Sequence, residues 1–259
     1  VAAACAGAYG IIRFAVPLFP ETALAVAPWA MGLGVAGVIY GAVLAYSQTD
    51  LKRLIAYTSV SHMGFVILGI FAFNELALHG VVMQLLTHGI STGALFLIAG
   101  MLKERLHTRD LNQMGGLWNH MPRMGGITIL FAMASLGLPG LGNFIAEFLI
   151  LMGSFQVSIW LTVLATTGLI FSAIYSLRIV QKLFFEVPVS TKAPVTDVSW
   201  REGISMAALT VAIVWLGVNP QAVIDRAAPI VYQLNRVVKS GNIVKEPTVK
   251  TEALIFKEK

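Results

Sequence analysis

Apolar runs about as long as a bilayer is thick dominate this chain, and charged residues gather between them. Residues 54–73 and 77–102 are two such runs. A helix of about 20 apolar residues spans a hydrocarbon core of roughly 30 Å. Hydrophobic residues make up 57% of the sequence and charged residues only 12%, against about 25% charged in a soluble domain. This pattern predicts a multi-spanning, all-α membrane protein whose apolar surface faces lipid. A single cysteine, Cys5, excludes an internal disulfide framework and a multi-cysteine metal site. The formal charge is +5, but the basic residues are spread among the loops, which argues against a nucleic-acid partner. The chain opens Val1-Ala2-Ala3 inside an apolar run, with neither methionine nor a basic leader region. That suggests a fragment, an incomplete N-terminus or a processed chain.

The expected spans are residues 1–19, 24–46, 54–73, 77–102, 124–154, 158–184 and 203–218. The fifth is interrupted by the Gly- and Pro-rich stretch 136–143, and Asn219-Pro220 closes the last. Residues 1–220 then form a transmembrane helical domain. Residues 221–238 read as an amphipathic surface helix and 239–259 as a polar, extended tail. Lys52 and Arg53, then Lys103, Arg105, Arg109 and Arg123, then Lys182, Lys192 and Arg201 fall in alternate loops. The intervening loops 20–23, 74–76 and 155–157 carry no Lys or Arg. The bias toward cytoplasmic basic loops places the three basic loops on the inner side and the C-terminal tail outside. Asp50 reads as a solvated loop residue. Arg13, Arg178 and Lys182 read as interfacial anchors, and Trp29, Trp118, Trp160 and Trp200 as an aromatic belt.

His62, His88 and Glu147 fall near the middle of their spans. An ionisable group at that depth costs about 2.5–3.5 kcal/mol and usually faces protein or water along an ion or proton path. The competing explanation is a polar contact between neighbouring helices. His62 shares a helical face with Thr58 and Ser59, and His88 shares one with Gln84, Ser91 and Thr92. An imidazole exchanges protons near neutrality. Glu147 follows a segment in which Pro139 removes a backbone donor and Gly137, Gly140 and Gly142 permit unwinding. Broken helices at membrane depth occur where backbone lines a cavity or is covered by protein. No phosphate loop, zinc spacing or nucleophile motif is present.

Four stretches carry a family resemblance: QTDLKRLIAYTSVSHMGF at 48–65, THGISTGALFL at 87–97, HTRDLNQMGGLW at 107–118 and LGLPGLGNFIAEF at 136–148. Together they resemble the antiporter-like membrane subunits of respiratory complex I, of the chain M (mitochondrial subunit 4) type. The likeness covers nearly all of residues 1–238. It implies a subunit of about fourteen spans built on inverted repeats, of which this chain resembles the C-terminal half, with the second repeat in spans two to six. It implies a proton-relay role for His62 and His88 and the key carboxylate for Glu147. It also implies that residues 221–238 strap neighbouring subunits. One departure stands at Cys5, four residues before Tyr9, where the family usually has lysine.

The resemblance thus implies a proton-translocating part of NADH–quinone oxidoreductase, coupling quinone reduction to proton pumping. NADH, FMN, iron–sulfur clusters and quinone belong to partner subunits on this reading, with no cofactor or metal in this chain. The expected partners are other membrane-arm subunits, the lipid bilayer, and a separate chain or missing segment that supplies the first repeat. The expected location is a bacterial inner (plasma) membrane rather than a mitochondrial one. Two other functions fit the same residues: a subunit of a multi-subunit cation/proton antiporter, and a non-conducting spacer in the membrane arm.

Overall fold

The computed structural model describes residues 2–186 and 196–240. The polar tail and Lys192 therefore lie outside the described residues, apart from the end of the last helix. The helices are α1 (Ala2–Gly10), α2 (Pro20–Ser47), α3 (Leu51–Phe71), α4 (Glu75–Leu106), α5 (Pro122–Ser135), α6 (Gly142–Phe155), α7 (Ile159–Val180), α8 (Trp200–Val218) and α9 (Gln221–Ser240). A π-helical turn, Ile11–Ala15, and a further turn, Val16–Leu18, continue α1. A second π turn, Gln181–Phe185, continues α7. Among the described residues no strand forms; a single antiparallel bridge joins Asp50 and Asp110.

Five of these helices are long and apolar enough to cross a membrane, namely α2, α3, α4, α7 with its π turn, and α8. The shorter apolar run Ala3–Leu18 and the α5–α6 pair complete the set that the sequence predicts. The interruption lies between Ser135 and Gly142, inside the predicted fifth span.

Local chemistry sets the helix ends. Asp50 is more than a solvated residue: its carboxylate caps α3 by accepting from the Arg53 amide at 2.9 Å. Asn74 caps α4 through the amides of Leu76 and Ala77. Pro20 and Pro122 open α2 and α5, where a missing N–H costs nothing. Ser199 and Glu202 form a reciprocal capping box on α8. Met121 offers α5 no side-chain cap. Asp197, far along the chain, instead accepts from the amides of Arg123 and Met124 at 3.0 and 3.1 Å.

The three basic loops meet at one end of the bundle. Leu51 donates to the Arg109 carbonyl and Leu111 to the Thr49 carbonyl. The Arg105 guanidinium grips both oxygens of Glu202, at 2.6 and 3.0 Å, and the carbonyls of Thr196 and Asp197. At the opposite end Asn74 donates to Gln156, joining the loops before α4 and after α6. Trp29, Trp160 and Trp200 are largely exposed, as a lipid-facing belt requires. Trp118 differs: its ring stacks on Phe185 and meets Phe184 edge-on, held by the turn Leu117–Asn119. The apolar face of α9 packs through Ala227, Val231 and Leu234 in a common cluster with Leu78 of α4 and with Ala8 and Val16.

Small residues allow the closest helix approaches. A Cβ on Gly64 of α3 would lie 2.6 Å from the Gly34 carbonyl oxygen and 2.6 Å from the Val38 nitrogen of α2. A Cβ on Gly41 would lie 2.6 Å from the Ser61 nitrogen. Backbone cannot yield as a flexible side chain can, so the helices must separate. Gly64→Ala should cost about 1–3 kcal/mol of stability. The check is a thermal melt of detergent-solubilised protein, and an unchanged midpoint would rule out so tight a contact.

Candidate functional site

Two apolar clusters divide the interior. One gathers Val38, Phe65, Val66, Ile70, Ala77, Val81 and Ile150. The other gathers Leu51, Leu54, Ile55, Leu95, Ile98, Leu102 and Phe131 toward the basic loops. Between them, along α3 and α4, lies a buried polar layer that holds His62, His88 and Glu147.

The three side chains come together although they start on separate helices. His62 Nδ1 lies 3.0 Å from Glu147 Oε1. Its Nε2 lies 3.3 Å from the Ser135 hydroxyl and 3.4 Å from the Tyr175 hydroxyl. The His62 and His88 rings are 5.2 Å apart, centre to centre, and tilted at 49°. His88 Nε2 lies 2.8 Å from the Ser59 hydroxyl, and its Nδ1 lies 3.1 Å from the Thr92 hydroxyl. Each ring nitrogen of both histidines thus has a partner that can donate or accept. His62 and Glu147 are 1% and 3% exposed, so their pairing takes place away from bulk water. Histidine and carboxylate at this distance can share or exchange one proton without leaving a lone charge in the interior.

The helix break delivers Glu147. α5 descends from the basic end and stops at Ser135; Gly137 and Gly140 then take φ of +80° and +95°, conformations that favour glycine. α6 resumes at Gly142 and carries Glu147 in its second turn. The turn is also a close fit, since a Cβ on Gly137 would sit 2.9 Å from Glu147 Oε2. Gly217 of α8 packs against the backbone of Gly140 and Leu141, so the unwound backbone is covered by protein.

The polar stripes on the two histidine helices sort themselves differently from their spacing. Thr58 donates to the Ile55 carbonyl of its own helix and does not reach His62. Ser59 serves His88 across the helix interface. Ser91 donates to the His88 carbonyl and accepts from Asn143 Nδ2 at 3.1 Å. Tyr175 and Ser135 escaped sequence reasoning. The one available signal was Tyr175 lying between Ser172 and Ser176 in an otherwise apolar span. Cys5 lies away from this layer. Its thiol donates to the Leu85 carbonyl and lines an apolar cavity of about 690 Å³ that Tyr9, Leu78, Leu85, Arg226 and Val231 also line.

The sequence profile of the family described as NADH:quinone oxidoreductase/Mrp antiporter, TM matches residues 1–172. The chain belongs to this family. NADH-quinone oxidoreductase subunit M of Pseudomonas aeruginosa is 52% identical over 221 residues, covering 85% of this chain and 43% of the relative. The subunit M of Escherichia coli K12 is 48% identical over 220 residues, covering 84% and 43%. The chain therefore spans less than half the length of these curated relatives. A chain of respiratory complex I from Thermus thermophilus with bound NADH superposes with a TM-score of 0.84 at 33% identity, over 90% of this chain and 49% of that one. A chain of the Mrp complex from Dietzia sp. DQ12-45-1b shares the fold, with a TM-score of 0.80 at 18% identity, over 91% of this chain and 52% of that one. The antiporter-like fold of the family is thus an integral membrane fold.

Gly137 and Gly140 separate two effects in this family member. Both adopt positive φ, but a Cβ on Gly140 meets nothing within 4 Å. Gly137→Ala and Gly140→Ala should each cost about 1–2 kcal/mol in backbone strain. Only Gly137→Ala should also move the infrared carboxyl band that Glu147→Gln removes. Equal spectra for the two variants would separate Glu147 from the turn.

Proposed function

We propose that this chain is the proton-conducting half of a membrane-arm subunit of NADH–quinone oxidoreductase. The observation that carries the reading is the buried contact of His62 with Glu147, with His88 in ring contact behind it. The names of the relatives at 52% and 48% identity support the complex I assignment over the antiporter one.

Protons arrive from the side of the basic loops, where Ser59 and Thr92 keep the His88 ring oriented. Both His88 nitrogens are engaged with hydroxyls, so transfer to His62 runs through these hydroxyls and mobile water rather than ring to ring. His62 takes a proton while Ser135 and Tyr175 hold its Nε2. It passes the Nδ1 proton to Glu147, which neutralises the carboxylate and leaves a neutral imidazole. Movement of the proton onward restores the Glu147 charge and draws His62 back toward its protonated form. Quinone reduction elsewhere in the complex biases these charge states. NADH, FMN, iron–sulfur clusters and quinone sit in other subunits, and further chain supplies the first repeat. The membrane is a bacterial plasma membrane.

The test uses the assembled complex in sealed membrane vesicles, with proton uptake measured per NADH oxidised. Glu147→Gln removes the exchangeable carboxyl and should lower uptake about a hundredfold or more, the range for loss of a proton-transfer group. Wild-type pumping in that variant would exclude Glu147 from the path. Cys5→Lys probes the departure from the family pattern. Because the Cys5 thiol faces the apolar cavity and not the histidine layer, its pumping should match wild type; a gain would make the lost lysine a coupling element.

A further inference from the structure

Beside the histidine layer lie three buried side-chain atoms with no hydrogen-bond partner among the described residues: Nε2 and Oε1 of Gln84, and Oδ1 of Asn143. Both residues are 0% exposed. An interior amide is bonded to protein or to ordered water in the great majority of proteins, because leaving it bare forfeits the hydrogen bonds it had in solvent.

Helix register shows that these atoms face one another and the relay. α4 and α6 run antiparallel in close contact. A Cβ on Gly80 would lie 2.7 Å from the Ala146 carbonyl oxygen and 2.6 Å from the Ile150 nitrogen, whereas a Cβ on Gly142 would lie 2.5 Å from Thr87 Cγ2. Gln84 lies between those two contacts on α4, and so faces the turn from Asn143 to Glu147. Gln84 and His88 are four apart on α4, and Asn143 and Glu147 are four apart on α6, so each pair shares one helical face. Antiparallel packing sets Gln84 across from Glu147 and the His88 turn across from Asn143. The 3.1 Å bond from Asn143 to Ser91 pins that second pairing. Toward the far end of the bundle, Ile150 and Val81 close against Gly69 and seal the polar layer with apolar atoms.

We infer that Gln84 and Asn143 build a buried water site beside Glu147, and that Gln84 is a positioning residue of the relay. The inference rests on the proton-relay reading of His62 and Glu147. A buried water typically makes about three hydrogen bonds and needs two to four polar partners. Here the Gln84 carbonyl and the Asn143 carbonyl accept from the water, and the Gln84 amide N–H donates to it. Glu147 then has two proton-exchange partners, His62 at Oε1 and the water. A proton arriving from His62 Nδ1 neutralises the carboxylate. It leaves when Glu147 gives it to the water as the carboxylate is restored, and the water's outgoing proton passes to a second, mobile water of the chain that the relay already requires. Gln84 carries no exchangeable charge; it holds the water's orientation.

Gln84→Met keeps the length of the side chain but removes both amide donors and the carbonyl acceptor, leaving only a weakly accepting thioether, so it dries the site. Gln84→Ser shortens it and leaves a hydroxyl with room for water. Both variants are made in the assembled complex. Each is read by water density in a high-resolution cryo-microscopy map, by NADH-driven proton uptake in vesicles and by the pH profile of that uptake. We expect wild-type density between Gln84 and Asn143. Gln84→Met should lose it, lower uptake about tenfold, the rate cost of one lost hydrogen bond, and shift the pH profile. Gln84→Ser should recover most of the density and uptake. A dry site with both amides bonded directly to protein overturns the inference, as does wild-type uptake in Gln84→Met. Glu147→Gln in the same vesicles separates the two readings. If it stops uptake while Gln84→Met does not, the relay stands and the water's role falls. If Glu147→Gln pumps normally, the relay itself falls, whatever the density shows.

Discussion

The contact between His62 and Glu147 is the one that the rest of the interior must accommodate. Each group alone at bilayer depth costs about 2.5–3.5 kcal/mol, and a buried pair is tolerated only when geometry and further hydrogen bonds offset desolvation. The surroundings supply both. Ser135 and Tyr175 satisfy the far nitrogen of His62, and the His88 ring packs against it with its own hydroxyl partners. Apolar clusters above and below keep the polar layer thin.

Bringing a carboxylate from α6 to a histidine on α3 requires the break between α5 and α6. A continuous helix would carry Glu147 past this layer with no free turn to adjust its position. Gly137 and Gly140 provide that turn, and Gly217 of α8 covers it. Close approach at Gly80, Gly142 and Gly153 then holds α6 against α4. The ends of the bundle prevent the two half-helices from drifting. Asp197 caps α5 from a distant loop, Arg105 ties that loop to α4, and Asn74 ties the other end to Gln156. These ties at both ends hold α5 and α6 in register around the buried His62–Glu147 pair.

The helices could be read in advance because bilayer thickness sets a length scale that no other constraint contests. His62, His88 and Glu147 were legible for a related reason: an ionisable residue in an apolar run stands out without any knowledge of its neighbours. Spacing was a weaker guide to partners. Thr58 and Ser59 share a face with His62, yet one bonds its own backbone and the other bonds His88. Asp50 looked like a solvated loop residue and is a helix cap.

By itself the sequence determined which segments are helical, where one helix breaks, and which ionisable groups enter the apolar layer, because these follow from length, glycine and proline placement, and solvation cost along one chain. Only the tertiary structure decided that Glu147 meets His62 and not His88, that Ser135 and Tyr175 contact the far nitrogen of His62, and that α4 and α6, which bury Gln84 and Asn143, pack closely at Gly80 and Gly142. A helical period states which way a side chain points. What it meets there depends on the depth and register of a second helix, and those are set by packing between segments far apart in the chain.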